Sequence, residues 1–388
     1  MRNSAKQWPH IPLGELAEIE RNAVSPENIK SGTKYVGLEN MTSSGSFVGV
    51  AEVATGDLAS TKFAFTDRHI LYGKLRPYLA KIARPRFPGV CSTDILPILP
   101  GSKVDPGFLL HFLRQPRMVD YASSKTTGAN LPRLSPKALA EFEIPLPPLS
   151  EQKRIADILD KADSIRRKRQ ETVTVAEGFV SALFMEMFAS HHSAHSDTVK
   201  VMSFDDAISD FIDYRGKTPC KSTSGVPLVT AKVVKGGRIL PPDEFIPDGD
   251  YDAWMRRGLP LRGDVLFTTE APLGEVAQVA DERIALAQRV LLMRGKKSVL
   301  NNTFLRLAIK TPFVWNQIQR RSTGSTVRGI RQKELRQVTL PVPSIAEQEQ
   351  FERIAQRQEQ SIEVLRTSAT HAELLFNSLV QCAFKGEL

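Results

Sequence analysis

The 388-residue chain contains no run of 18 apolar residues, and its opening segment, Met1-Arg-Asn-Ser-Ala-Lys-Gln-Trp8, holds no apolar stretch of the kind a secretion signal needs. A protein that is neither exported nor membrane-spanning is expected. Cysteine is scarce as well. Cys91, Cys220 and Cys382 are odd in number and far apart, which excludes a disulfide framework and a Cys-x-x-Cys metal site. A reducing cytoplasm fits that pattern. Two phosphate-binding signatures are also missing: Gly-x4-Gly-Lys-Ser/Thr, and Gly-x-Gly-x-x-Gly after a strand.

What is present is unevenly charged. Of the net +9, residues 1–150 carry +5 and residues 197–343 carry +7, while 151–196 balance and 344–388 carry −3. The positive excess therefore sits in two long irregular segments, as expected of surfaces that meet phosphate. A solubility surface with no polyanion partner is the alternative that charge alone leaves open.

Residues 108–188 recur without a gap 196 positions later. Phe108-Leu109 returns as Phe304-Leu305, Thr127-Gly128 as Thr323-Gly324, Ile144-Pro-Leu-Pro147 as Leu340-Pro-Val-Pro343, and Phe188 as Phe384. An offset near half the length implies two copies of one unit, and a two-fold protein suits a two-fold partner such as duplex DNA. In each copy, apolar runs between glycine and proline read as strands: 34–38, 69–72 and 90–99, then 226–229, 264–267, 276–279 and 284–293. Segments 108–122 and 304–321 read as amphipathic helices that Pro116 and Pro312 should kink or end.

Each copy closes on a long helix. Apolar or small residues recur at 155, 159, 162, 165, (169), 172, 176, 179, 183 and 187, and again from Phe351 to Ala383, with a mean step of about 3.56. This spacing keeps one seam facing a partner helix, as in a coiled coil. Pro145-Leu-Pro147-Pro148 and Pro341-Val-Pro343 form rigid lead-ins, Ser150 is the expected N-cap of the first helix, and Ser344-x-x-Glu347 has the form of a capping box. The expected fold class is α+β. Two tandem mixed α/β domains (1–149 and, with a linker, 191–343) are each followed by a long helix (150–190 and 344–388). The two helices pair antiparallel, giving an internal pseudo-two-fold repeat and a ruler between the globular regions.

Catalytic groupings do not assemble. Asp105-Pro-Gly-Phe108 approaches the Asp/Asn-Pro-Pro-Tyr/Phe loop of adenine methyltransferases, but lacks the second proline and a glycine-rich cofactor loop; a helix start explains it. Glu151-Gln-Lys153 imitates half of a metal-nuclease motif without the upstream Pro-Asp, and again a helix start suffices. His191, His192 and His195 sit in a polar connector with no fourth ligand, so no metal site is expected.

The lead-in Pro145-Leu-Pro-Pro-Leu-Ser-Glu-Gln-Lys-Arg-Ile155 and its copy from Pro341 to Gln348 are each preceded by Thr-Gly and followed by a long helix. With them the chain resembles, over its whole length, the DNA-specificity subunit of type I restriction-modification enzymes. Asp213-Tyr-Arg-Gly-Lys-Thr-Pro219, Leu266-Phe-Thr-Thr-Glu-Ala-Pro-Leu-Gly274 and Gly73-Lys-Leu-Arg-Pro-Tyr-Leu79 are similar to recognition-domain segments of that family. The resemblance implies a non-catalytic reader of double-stranded DNA that recruits two methylation and two restriction subunits. It implies no cofactor in this chain, since S-adenosylmethionine, ATP and Mg2+ would belong to those partners. It also places Glu151, Gln152, Ile155, Glu347 and Gln348, at the helix lead-ins, among the partner-binding residues. A stand-alone DNA-binding or helical scaffold protein is the alternative; a hidden nuclease or methyltransferase site would show as activity of the chain alone.

The copies differ in their polar residues and agree in proline, glycine and apolar ones. Ser92-Thr93 falls opposite Gln288-Arg289, Asn130-Leu-Pro-Arg133 opposite Thr326-Val-Arg-Gly329, and, with a one-residue shift, Lys74-Leu-Arg76 opposite Thr269-Glu-Ala271. Such side chains read base edges, so two unlike half-sites are expected. The expected DNA-facing residues are Lys74, Arg76, Ser92, Thr93, Thr127, Gly128, Asn130 and Arg133 in the first domain. In the second they are Arg215, Lys217, Thr268, Thr269, Gln288, Arg289, Thr323, Gly324 and Arg328. The run Arg166-Arg-Lys-Arg169, without a counterpart in the second copy, is read as a solvated helix face, with spacer phosphates or a methylation subunit as alternatives.

Overall fold

The computed structural model describes residues 8–188, 199–214, 218–281 and 283–388. They form two compact units, one of the residues up to Glu171 together with Arg366–Leu388, the other Thr172–Leu365. Each unit thus contains one globular region, part of the helix that follows it in its own copy, and part of the other copy's helix.

In the first unit His10–Pro12 pairs antiparallel with Glu143–Pro145. A four-stranded sheet runs in the order Ala17–Ile19, Ile95–Pro100, Ile70–Gly73, Ile82–Ala83. A five-stranded sheet has Gly89–Cys91 between Lys62–Phe65 and Thr33–Val36, the latter pair parallel. The second unit repeats the plan: Lys200–Ser203 on Thr339–Val342, and a sheet ordered Ile208–Asp213, Val290–Gly295, Val265–Thr269, Leu273–Gln278. There, too, Val226–Val229 runs parallel to Ala285–Leu286. The repeat therefore extends further along the chain than the gap-free stretch suggests. It begins at the first strands, with insertions: Tyr35 answers to Leu228 and Val90 to Ala285, so the offset is 193 and then 195 before it settles at 196.

Two apolar runs read as single strands are each two. Residues 90–99 hold Gly89–Cys91 and Ile95–Pro100; residues 284–293 hold Ala285–Leu286 and Val290–Gly295. Between the halves the chain crosses from one sheet to the other. Ser92 N donates to Val36 O, and Lys74 N to Asp94 O; the second copy repeats this with Ala287 N to Val229 O and Thr269 N to Arg289 O, all at 2.9–3.0 Å. Both halves are buried, and the crossings fall at the short polar breaks Ser92-Thr-Asp94 and Gln288-Arg289.

The two prolines act as expected. Pro116 and Pro312 each open a second helix (Pro116–Ser124, Pro312–Arg321) after a shorter one (Pro106–Leu113, Asn302–Ala308). The shorter helices are capped by Asp105, whose Oδ1 accepts from the amides of Gly107 and Phe108, and by Asn301, which accepts from Thr303 and Phe304. Asp105-Pro106 is thus a helix start.

The long helices are Leu149–Phe188 and Ile345–Lys385, each about 60 Å at 1.5 Å per residue. Ser344 and Glu347 close their capping box, with Ser344 N donating to Oε2 at 2.9 Å and Glu347 N to Oγ at 3.4 Å. Ser150, expected as the first N-cap, lies inside the first turn instead, because Pro148 O already accepts from Glu151 N and Gln152 N. The seam is real but drifts: Ile165 and Phe179 are exposed, while Val173, Val180, Phe184 and Phe188 are buried. From Val173 on, the buried stripe lies one residue beyond the counted seam: Thr172, Phe179, Leu183 and Met187 give way to Val173, Val180, Phe184 and Phe188.

In each unit the other copy's helix end completes the core. Phe384 packs on Phe108 and Phe112, ring centroids 5.2 and 5.4 Å apart. Phe188 packs on Phe304 at 5.0 Å and on Phe351 at 5.7 Å. In the first unit the helices run antiparallel, since Arg154 donates to the Leu388 carbonyl and Arg166 to Glu373.

A buried glutamine fastens each long helix to its own domain. Gln152 Oε1 accepts from Asp105 N at 2.8 Å while Nε2 donates to the carbonyls of Lys103 and Pro147. Gln348 does the same with Asn301 N, Val299 O and Pro343 O, at 2.8–2.9 Å. Gln152, Gln348 and Ile155 are at most 1% exposed. This corrects their expected part in partner binding: all three are spent inside their own units and offer a partner no surface. Glu151 pairs with Arg154, and Glu347 serves the cap. Nor is the basic run a wholly solvated face. Arg166 and Arg167 converge on buried Asp163, and Arg167 also donates to Ser46 Oγ and Ser44 O.

Burial opposes ionisation of Asp163, but hydrogen bonds from Arg167 and Arg166 and the charge of Arg114 outweigh it and hold its carboxyl below the usual range. A depressed carboxyl contributes stability that is complete above its unfolded value, about 4, and is lost as pH falls through the lower folded value. Wild-type stability should therefore decline below about pH 4 more steeply than that of Asp163→Asn, read by denaturant titration across pH. Separately, Gln152→Leu and Gln348→Leu each leave three backbone groups without their partner, one of them in a fully buried bond. Each should cost on the order of 2–4 kcal/mol in urea unfolding, while Lys153→Ala should change little; unchanged midpoints would refute the latch.

Candidate nucleic-acid interface

In the first unit three loops meet where the strand Ile70–Gly73 ends. Lys74 is half-buried and acts as a backbone hub, its amide donating to Asp94 O and its carbonyl accepting from Leu134 N, both 2.9 Å. Arg76 is exposed, in a left-handed conformation (φ 51°), and its amide donates to Pro132 O. Residues 127–133 form a small hairpin closed by reciprocal amide–carbonyl bonds between Thr127 and Arg133. Thr127, Gly128 and Asn130 are exposed on it, as is Thr93 on the crossing segment; Ser92 is half-buried and its Oγ accepts from Asp94 N. Arg133 is held in a fork by Asp94, Nε to Oδ1 at 2.9 Å and Nη2 to Oδ2 at 3.4 Å. That hydrogen bond, with the Asp94 charge, raises the Arg133 pKa further above its ordinary value.

The second unit rebuilds this junction with different side chains. Thr269 N donates to Arg289 O, and Ile330 N to Thr269 O, both 2.9 Å. Residues 323–329 form the matching hairpin, closed by Thr323 and Gly329, and Gly329 also bridges Glu270. The backbone therefore aligns Lys74-Leu-Arg76 with Thr269-Glu-Ala271, as the one-residue shift anticipates. It also aligns Asp94 with Arg289, one residue away from the pairing of Ser92-Thr93 with Gln288-Arg289 that a constant 196 offset implies. Thr269, Gln288, Arg289, Thr323 and Gly324 all line one cleft of about 550 Å3. Arg289 is half-exposed with φ 69°, and Gln288 Nε2 donates to Thr218 Oγ1 at 3.2 Å.

Two expected contacts do not reach the surface. Thr268 is 0% and Thr269 4% exposed; Thr268 Oγ1 accepts from Glu275 N, and Thr269 Oγ1 donates to Arg289 O. They hold the turn and offer DNA no surface. Arg328 and Thr323 are exposed. Arg215 and Lys217 lie outside the described residues, as do His191, His192 and His195. Gly128 (φ 95°) and Gly324 (φ 107°) are required by the hairpins, and a Cβ on Gly324 would meet Val327 O at 2.1 Å.

Sequence reasoning overlooked the apolar tips. Leu131 and Val327, 196 residues apart, are 46% and 50% exposed on otherwise polar hairpins, and Tyr78 beside Arg76 is 55% exposed. The repeat itself carried that signal, since both copies place a branched apolar residue at one tip. Among the described residues, the non-glycine positions with positive φ are Arg76, Ala80, Ala271, Arg289 and Ser298, and all but the last belong to these loops. Left-handed backbone costs such residues about 1–2 kcal/mol each and concentrates at functional surfaces.

Among the described residues no group of His, Cys, Asp and Glu is arranged to hold a metal, and no helix is long and apolar enough to cross a membrane.

The chain is similar to known specificity proteins. A Methanocaldococcus jannaschii putative type I restriction enzyme MjaX specificity subunit is 21% identical over 99% of this chain and 94% of its own length. The Escherichia coli EcoKI specificity subunit is 22% identical over 80% of this chain and 72% of its own. The Escherichia coli EcoDI specificity subunit is 27% identical, but the match spans 48% of this chain and 43% of the relative. In fold, the chain resembles the type I restriction-modification S subunit from M. genitalium (TM-score 0.61, 11% identity, 99% of this chain and 97% of the other). A chain from a type I R-M complex-assembly study covers all of both chains at TM-score 0.55 and 19% identity. The family model for the type I restriction modification DNA specificity domain matches residues 5–175 and 232–371. With a match of that extent in both copies, this chain belongs to the type I restriction-modification DNA specificity family.

Proposed function

We propose that this chain reads an asymmetric, two-part DNA sequence for a type I restriction-modification enzyme, each unit addressing one half-site. One observation carries the reading: the two loop junctions share their backbone bonds and differ in what they display. Where the first has Leu75, Arg76, Asp94 and Arg133, the second has Glu270, Ala271, Arg289 and Gly329. Shared amide and carbonyl bonds with unlike side chains suit unlike base sequences, because base edges are discriminated by donor and acceptor pattern. Lys74, Arg76, Thr93 and Asn130, and Gln288, Arg289, Thr323 and Arg328, with Arg215 and Lys217, are the residues assigned to DNA, while Arg133, closed on Asp94, braces its hairpin.

The chain acts without chemistry of its own in this reading. It recruits two methylation subunits, which would use S-adenosylmethionine, and two restriction subunits, which would use ATP and Mg2+. With Gln152, Ile155 and Gln348 buried, the docking surface falls to exposed apolar residues on the long helices. In the first unit these are Ile165, Leu374 and Leu375; in the second they are Val175, Phe179 and Val364, each at least 49% exposed. Large apolar side chains left in water along a helix mark a protein-binding face.

Exchanging residues 197–343 for those of another recognition domain should alter one half of the methylated motif in a host carrying the complex and leave the other half and the spacer unchanged. Mapping N6-methyladenine across the genome checks this. A change in both halves would sink the assignment of one half-site to each unit. Methylation by the purified chain with S-adenosylmethionine alone would sink the non-catalytic role.

A further inference from the structure

We infer that Arg289 and Glu270 together read one G·C base pair, with Arg289 on the guanine and Glu270 on its cytosine. The inference rests on the DNA-reading role proposed above and names the base pair that one unit addresses. Arg289 Nη2 and Glu270 Oε1 lie 3.7 Å apart, both side chains about half exposed (53% and 41%), on the wall of the 550 Å3 cleft. A guanine presents O6 and N7, two acceptors that a guanidinium fork meets, and its cytosine presents an N4 amine that a carboxylate accepts. An arginine and a carboxylate held as a loose 3.7 Å ion pair, both about half exposed, match both bases of that pair at once.

The first unit shows the contrast. Its arginine and carboxylate are closed into a fork, Arg133 on Asp94 at 2.9 and 3.4 Å, with Asp94 standing where Arg289 stands in the second unit. There the pair braces the hairpin. In the second unit Gly329 takes the place of Arg133, and a Cβ there would already lie 3.3 Å from Glu270 Cγ. The glycine keeps room for the glutamate and leaves Arg289 without a brace from the hairpin. The left-handed backbone of Arg289 supplies the second argument. A non-glycine residue held at φ 69° is strained, and glycine would occupy the position without strain. Arginine is retained there for its side chain.

That strain provides a clean test. Arg289→Gly removes the guanidinium while easing the backbone, so loss of recognition cannot be ascribed to unfolding; a thermal melt of the full chain should be unchanged or raised. In a host expressing the chain with its methylation subunit, the N6-methyladenine map of wild type should show a G·C pair in the half-site that changes when 197–343 are exchanged. In Arg289→Gly that one position should become degenerate, with discrimination falling on the order of ten- to a hundred-fold. Glu270→Gln should weaken discrimination at the same position and no other. A motif unchanged by Arg289→Gly, or altered only in the other half, overturns the inference while leaving the chain a DNA reader. Absence of any two-part motif in wild type overturns the underlying reading instead.

Discussion

Each unit depends on an apolar contact that its own copy of the repeat cannot supply. Phe108 and Phe112 are covered by Phe384, and Phe304 by Phe188. Since Phe304 is the repeat of Phe108 and Phe384 the repeat of Phe188, the contacts obey the reciprocal rule of a two-fold interface: i meets j′, and j meets i′. Burying a phenylalanine is worth roughly 1.5–3 kcal/mol, so neither core closes well until the other copy's helix has arrived. This reciprocity accounts for the length of the helices. Each must begin in its own unit, where a buried glutamine fixes its first turn, and end in the other.

That exchange also accounts for what the two copies preserve. The offset drifts from 193 to 195 to 196 through the strands and the segments that join them, where insertions are absorbed, and then holds constant from the shorter helices, through the hairpins, to the last phenylalanines. A residue gained inside a helix would rotate its buried stripe by about 100° and carry Phe188 or Phe384 out of the core it closes. Loops carry no such constraint. The ion pairs are freer still: Asp163 gathers Arg166 and Arg167 in the first unit, while its repeat, Glu359, pairs with Arg306 in the second.

Much of the architecture was legible in the residues because it is written in period and punctuation. The repeat, the helix breaks at Pro116 and Pro312, the Ser344–Glu347 cap and the half-buried strands all follow from local rules. The sheet crossings at 92–94 and 287–289 were not read, because no glycine or proline marks the step and the polar breaks Ser92-Thr-Asp94 and Gln288-Arg289 are short against the buried strands on either side. The site was legible only in part. Polar type selected Arg76, which is exposed, and Gln288 and Arg289, which line the cleft, yet it also selected Thr268 and Thr269, whose hydroxyls are satisfied inside the turn. The family resemblance likewise assigned Gln152 and Gln348 to partners, though a glutamine with three backbone partners is as much a core residue as a leucine. Polarity indicates the need for hydrogen bonds and leaves open whether protein or ligand meets it.

The loop junctions show how a fixed frame can display changeable chemistry. Lys74, Asp94 and Leu134 in the first unit, and Thr269, Arg289 and Ile330 in the second, are joined wholly through amides and carbonyls. Main-chain bonds of this kind ask nothing of the side chain's chemistry, so aspartate and arginine can occupy one position with its carbonyl bond kept, although only Arg289 takes a left-handed backbone there. Even the left-handed corner accepts arginine in one copy and alanine in the other, at φ 51° and 49°. A surface that must meet different base sequences needs side chains free to vary and a backbone that is not. Fastening the loops by backbone alone, on a sheet held by exchanged helices, separates those two requirements. Divergence between the copies can then proceed one side chain at a time, each step changing what is read while the fold beneath it stays as it was.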